Sequence, residues 1–346
     1  MVEADLSPHA AERICREGAQ KSFEESAKSI AIDWHLERRL DRKQVERWAE
    51  AVGDRMVRQR DAEVLAYKQG RRPAIAGPNE PALLVVGLDG GRWQSREKNA
   101  ETGSRWREDK VCTVTSYIPG DGKEGEEARK PQKLVTTHVA TTDDCRAFGP
   151  LARVEAERRG IRAAAEVIVI GDCGNWIDPI QEQHFGCHAR IADYDHAVEH
   201  LWEAARAVLG ADSPKVPAMA KRLEAQLYGG QVQRVIRYLD AESAKLGPPT
   251  EADGQHHPRR VLAANAGYFR RNRGHMNYPE YRAKGWPIGS GNTEAGVKQF
   301  NKRVKGTEQF WGERGVEAML ALRGAWISQD DRWSKFWASR AAYLSN

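Results

Sequence analysis

What the chain lacks narrows it first. Nowhere in its 346 residues is there an apolar run long enough for a transmembrane helix, so no membrane partner is expected. The N-terminus, Met1-Val2-Glu3-Ala4-Asp5, lacks the basic and apolar regions of a secretory leader. Cysteine is scarce, and the five present are odd in number and scattered, which fits reduced thiols rather than a disulfide framework. These absences predict a cytoplasmic location. No internal repeat and no long low-complexity segment is present, which excludes solenoids and disordered arrays. A strong charge of either sign is missing too, since the net value of +5 says little alone. What remains, 40% hydrophobic and 30% charged residues, is an ordinary soluble balance with enough length for two or three domains.

The distribution of charge says more than its sum. Arg259, Arg260, Arg270, Arg271, Arg273, Arg282, Lys284, Lys298, Lys302, Arg303 and Lys305 gather around one stretch, Gly285-Trp286-Pro287-Ile288-Gly289-Ser290-Gly291-Asn292-Thr293-Glu294. The stretch reads as a glycine-rich turn feeding a helix. Gly289 and Gly291 permit unusual backbone angles, and Asn292 or Thr293 can cap the first turn. Glu294 then sits where the helix dipole favours negative charge, with Lys298 one turn on along the same face. Cations flanking a carboxylate suit a polyanionic substrate, although a solvated basic surface reads the same way.

In chain order, residues 1–72 read as helical. Ser22-x-x-Glu25 and Asp41-x-x-Gln44 are two capping boxes in succession. Each opens a short amphipathic helix, with Phe23, Ala27 and Ile30 in the first and Val45, Trp48 and Val52 in the second. Arg42, Lys43 and Arg47 make the second basic near its start, a helix-turn-helix pattern with DNA as the expected partner. Arg55 to Arg72 continues as an exposed charged helix, and residues 73–81 read as a linker.

Residues 82–205 alternate strands, turns and helices. Leu83 to Leu88 is apolar enough for a strand buried on both faces, and Gly90-Gly91 is expected to turn the chain after Asp89. Strands over 106–117 and 134–140 complete an antiparallel meander. A helix over 143–159 then leads to a fourth strand, Val167 to Ile170, parallel to the first. A fifth short strand lies near 188–194, and a helix begins at Asp195. The fold class expected from this order is α/β, an RNase H-like core with a mixed sheet. Residues 206–275 read as a helical insertion that breaks at Gly229-Gly230. Residues 276–346 return to the core with the helices that carry Glu294.

Two carboxylates stand at strand ends, Asp89 and Asp172, and a third, Glu294, at a helix start. Phosphoryl transfer on DNA requires a deprotonated nucleophile and a stabilised leaving oxygen, and two divalent ions roughly 4 Å apart serve both ends. Mg²⁺ or Mn²⁺ takes oxygen ligands and keeps several waters, so a few carboxylates on rigid elements suffice. An Asp after a strand is also an ordinary turn or cap residue, and Asp193 and Asp195 rival Asp172 on periodicity alone.

Four motifs in order settle the choice: Gly87-Leu88-Asp89-Gly90-Gly91-Arg92-Trp93, Ile170-Gly171-Asp172-Cys173-Gly174-Asn175-Trp176-Ile177, Asp193-Tyr194-Asp195-His196-Ala197-Val198-Glu199-His200-Leu201-Trp202, and the Gly285 to Glu294 stretch. Together they resemble bacterial insertion-sequence transposases of the ISKra4 group, in the DDE class, from about residue 22 to the C-terminus. The resemblance implies that Asp89, Asp172 and Glu294 are the catalytic, metal-binding triad. It implies cleavage and strand transfer at terminal inverted repeats into target DNA, a homo-oligomer in the synaptic complex, and a nucleoid-associated location. Asp195 departs from the family, which more often has an aromatic there, and Cys173 stands where a small residue is common.

Lys298, Lys302 and Arg303 are expected to contact DNA. His196 could contact a phosphate or orient a carboxylate, with Asp193 beside it, though such a His is more often structural. Trp286 or Trp311 could stack on an unpaired base, although core packing accounts for most of the eleven tryptophans. Cys173, His184, Cys187 and His188 match no standard zinc spacing. The Gly289-Ser290-Gly291 loop could offer N–H groups to phosphate, and a tight turn explains it equally well. Two other classes stay open: an inactive or domesticated relative that only binds DNA, and an RNase H-like nuclease without strand transfer.

Overall fold

The computed structural model describes residues 6–35, 40–71, 80–125, 128–174, 176–306 and 309–344. Most of the stretch read as a linker therefore lies outside the described residues. Five strands form one sheet: β1 (Leu83–Gln94), β2 (Trp106–Ile118), β3 (Gln132–Thr141), β4 (Glu166–Gly171) and β5 (Ala189–Ala192). Their order is β3-β2-β1-β4-β5. The first three are antiparallel neighbours, and β4 and β5 run parallel to β1. This is the RNase H-like arrangement expected from the order of elements.

One expectation fails in β1. The chain does not turn at Gly90-Gly91; it stays paired with β2 as far as Gln94 opposite Trp106. Asp89 therefore lies inside a strand twelve residues long rather than at its end. The glycine pair serves a different purpose. A Cβ on Gly91 would come within 2.5 Å of an oxygen of Asp109, its partner across the ladder.

Alternation along β1 divides the sheet's two faces. Leu84, Val86 and Leu88 point to one face, where Cys112, Val114, Val167 and Val169 join Phe148, Leu151, Ile177 and Ile180 from α4 (Cys145–Arg158) and α5 (Ile177–His184). Leu83 and Val85 point to the other, as do Gly87 and Asp89 by alternation. There Ile168, Ile170 and Ile191 pack under α6 (Tyr194–Leu209), α7 (Val216–Tyr228), α8 (Val232–Leu246) and α9 (Pro258–Asn272). Among these helices, α8 and α9 are separated by a non-helical stretch at 247–257, a second interruption of the insertion read over 206–275 beyond the one at Gly229-Gly230. After α10 (Tyr278–Ala283), α11 (Gly291–Val304) crosses β1 and β2 on this second face.

The N-terminal helices are α1 (Pro8–Gln20), α2 (Phe23–Asp33) and α3 (Arg42–Lys68). Both capping boxes form: Glu25 accepts the Ser22 N–H at 3.1 Å, and Gln44 accepts the Asp41 N–H at 2.9 Å. The second helix is not short, however. It runs 27 residues, and Val45, Trp48, Ala49 and Val52 are buried in a core shared with α11, α12 (Glu313–Ile327) and α13 (Arg332–Leu344). Arg42, Lys43 and Arg47 stay on its exposed side. No helix among the described residues is long and apolar enough to cross a membrane.

Candidate functional site: a carboxylate centre at the sheet edge

Strand register brings the first two carboxylates together. Leu88 pairs with Gly171 on the neighbouring parallel strand, so Asp89 and Asp172 occupy the next rung, and alternation sends both to the α11 side. Asp89 Oδ1 accepts the Gly90 N–H at 2.6 Å, and Asp172 Oδ1 accepts the Gly174 N–H at 3.0 Å. Cys173, between them, holds a left-handed φ of 64°. A non-glycine residue in that region of backbone space is uncommon.

The third carboxylate depends on how α11 is seated. Thr293 lies over Gly87, where a Cβ would come within 1.7 Å of its hydroxyl oxygen. The same hydroxyl bonds Thr113 at 2.9 Å. Asn292 turns toward β2 and β3, donating to Thr115 at 2.6 Å and Thr136 at 3.3 Å. Neither residue caps the helix, contrary to the sequence reading; Ser290 holds the cap position and donates instead to Asp193. Gly289 and Gly291 are not in left-handed conformations either. What Gly289 supplies is room, since a Cβ there would meet Asp195 at 2.6 Å. Glu294 stands four residues after Ser290, on the same side of α11, exposed and paired with Lys298 at 2.7 Å.

The centre is strongly negative. Burial pushes the Asp89 carboxyl up to about 6; the carboxylates of Asp172 and Asp193 add to the rise, while the Gly90 N–H and His196 oppose it. Asp195 is raised in the same way, by burial first and then by Asp193 and Glu294. Of the two rivals, Asp193 has structural partners. Asp193 is buried, caps α6 through the Asp195 N–H at 2.9 Å, and receives the Ser290 hydroxyl. Among the described residues, no three His, Cys, Asp or Glu side chains lie close enough together to hold a metal ion as they stand.

Other anticipated residues separate into two groups. Lys298 and Lys302 are exposed on α11. Arg303 is not available to DNA: it is 1% exposed, donates to the Gly18 carbonyl at 2.6 Å, and lies between Phe23 and Trp311. Burial pushes its guanidinium down to about 9. Trp286 and Trp311 are also buried, with their indole N–H groups on Glu166 at 2.6 Å and the Val304 carbonyl at 3.1 Å, so neither presents a face to a base. His196 Nε2 meets His200 Nε2 at 3.2 Å, and His200 bonds Asn265 of α9. The insertion thus reaches the edge of the centre. His188 accepts the Val167 N–H at 3.1 Å and Cys187 accepts from Gln181, which disperses the loose zinc set.

Asp109 was missed altogether. It is fully buried, both oxygens lack a hydrogen-bond partner, and burial pushes its carboxyl up to about 7. Its neighbours Glu108 and Lys110 make the segment read as polar and exposed. The available signal was alternation with Val111 and Thr113, both buried on the α11 face.

No family model matches the chain, and no curated protein matches it. Among solved structures it is similar to the Drosophila P element transposase strand transfer complex, at 9% identity over 94% of this chain and 93% of that one, with a TM-score of 0.40. The fold assignment rests instead on strand order and register.

Proposed function

We propose that the chain is a metal-dependent DNA transposase of the DDE class, with Asp89, Asp172 and Glu294 as its triad and the ISKra4 group as its family. The observation that supports the reading is that register puts Asp89 and Asp172 on adjacent rungs of β1 and β4, on the sheet face that α11 crosses with Glu294 in its first turn. The donor set suits Mg²⁺ or Mn²⁺: hard oxygen ligands, a surplus of negative charge, and a carboxyl at Asp89 raised first by burial and then by the carboxylates of Asp172 and Asp193. Two ions would supply Lewis acidity to the attacking and leaving oxygens of a phosphodiester.

The chain's own residues then have defined tasks. Asp89, near Asp172 and Asp193, would hold an ion in its ionised form, which predominates above about pH 6. Glu294 exchanges its ion pair with Lys298 for the centre, and Lys298 becomes free to hold a DNA phosphate. Ser290 keeps Asp193 in place, so the start of α11 stays fixed against β5. Water attacks the phosphodiester at an element end and leaves a 3′-OH, which then attacks target DNA. Arg42, Lys43, Arg47 and Lys302 are assigned to DNA, and a homo-oligomer to the synaptic complex.

The test is Mg²⁺-dependent cleavage of DNA carrying the inverted repeats that flank the gene, with a target plasmid present. The wild type is expected to cleave and to join ends to the plasmid, and Asp89→Ala and Glu294→Ala to do neither. Cleavage that survives both substitutions would refute the triad. Cleavage without joined product would identify a nuclease on the same fold.

A further inference from the structure

The buried tryptophans leave open which aromatic groups, if any, can meet a base. Besides Tyr228, which is 40% exposed under Arg282, two large aromatic rings are exposed among the described residues: Trp106 at 42% and Phe310 at 41%. They come from distant parts of the chain onto one ledge. Trp106 opens β2 opposite Gln94. The segment at Phe310 is tied to the same end of the hairpin, with Trp311 N–H on the Gln94 carbonyl at 2.9 Å and Arg96 N–H on the Trp311 carbonyl at 2.9 Å. Arg96 also reaches the Phe310 carbonyl at 3.2 Å. The rings are therefore exposed on a fixed backbone.

Each ring carries a cation. Lys305 lies over Trp106 at 5.8 Å from the ring centre, and Arg105 over Phe310 at 5.2 Å. Arg105 is oriented by the carbonyls of Ser95 and Arg96. Around the ledge, Lys98, Arg105, Arg107, Lys302 and Lys305 have no carboxylate within ion-pair distance among the described residues, and Arg92 faces Glu108 across the ladder. The ledge continues β1 beyond the carboxylate centre: Asp89 and Gln94 are five residues apart on one strand, about 17 Å.

We propose that this ledge is a binding surface for single-stranded DNA, in which Trp106 and Phe310 stack on unpaired bases while Lys305, Arg105 and Arg107 hold the backbone. Aromatic faces beside cations match the two features such a strand offers, an exposed π-face and a phosphate. A duplex offers only the second. The inference builds on the proposed function, because it gives a place to the strand that leaves the carboxylate centre.

The test uses the full chain without divalent metal, so binding is read independently of cleavage. Fluorescence anisotropy compares a labelled oligothymidine with a duplex of the same length. Trp106→Ala and Phe310→Ala are each expected to weaken single-strand binding by ~5- to 160-fold, the range that the loss of one stacked base converts to, and to leave duplex binding unchanged. Trp106→Phe is expected to retain binding, and Lys305→Ala to lower the slope of log K against log salt by about 1. Unaltered single-strand binding in both alanine variants would overturn the proposal, as would an equal loss for duplex. Binding that behaves as predicted in a protein that cleaves nothing would sustain this surface and refute the transposase reading.

Discussion

At the scale of the residue, two aspartates with similar surroundings are put to different uses. Asp89 has a backbone partner and carboxylate neighbours at the sheet edge, whereas Asp109 is sealed two rungs along the same face with nothing to bond. For Asp109 the sign of the pH effect follows from its raised carboxyl. The folded chain keeps a proton that the unfolded chain releases, so the group costs stability as pH rises from about 4 to about 7, with no further change above that. Asp109→Asn is expected to stabilise the protein by about 2–4 kcal/mol at pH 8 and by almost nothing at pH 4, read by urea unfolding at both values. A gain independent of pH would contradict a buried, strained carboxyl. Sequence alone exposed Asp89 through its place after an apolar run. It concealed Asp109, because a charged residue between Glu108 and Lys110 looks solvated until the neighbouring strands and α11 are in place.

At the scale of the element, α11 is the part on which the centre depends. Its seat is a bare patch of β1 at Gly87 under the Thr293 side chain. Gly87→Ala inserts a methyl group where no space exists. The expected cost is about 1–3 kcal/mol of stability together with a drop in cleavage, although all three carboxylates remain. Gly87→Ala combined with Thr293→Ala is expected to recover part of both, and a double variant no better than the single one would contradict the contact. Local signals were readable here: both capping boxes form as written, because a cap is decided within four residues. The roles of Asn292 and Thr293 were not readable, because their partners Thr113, Thr115 and Thr136 lie in strands more than 150 residues away.

At the scale of the whole molecule, order along the chain predicted the sheet, and strand polarity followed from connection length. Layering was less visible. Helices α1–α3 read from sequence as a region apart, yet they share a core with α11, α12 and α13, and Arg303 and Arg323 donate to the carbonyls of Gly18 and Ala19. Those two arginines look like surface cations in sequence and are buried by helices some 300 residues away. The same layering removes Trp286 and Trp311 from the surface and leaves Trp106 and Phe310 on it.

The central claim is that Asp89, Asp172 and Glu294 act together on a divalent ion. Its most direct test is Mn²⁺ binding, followed by electron paramagnetic resonance, for the wild type beside Asp89→Ala, Asp172→Ala, Glu294→Ala and Asp195→Ala. The account predicts that the wild type binds and that binding strengthens as pH rises through about 6, where Asp89 loses its proton. Each triad substitution should weaken binding by about tenfold or more, and Asp195→Ala should not. Undiminished binding in the three triad variants, or a loss confined to Asp195→Ala, would contradict it.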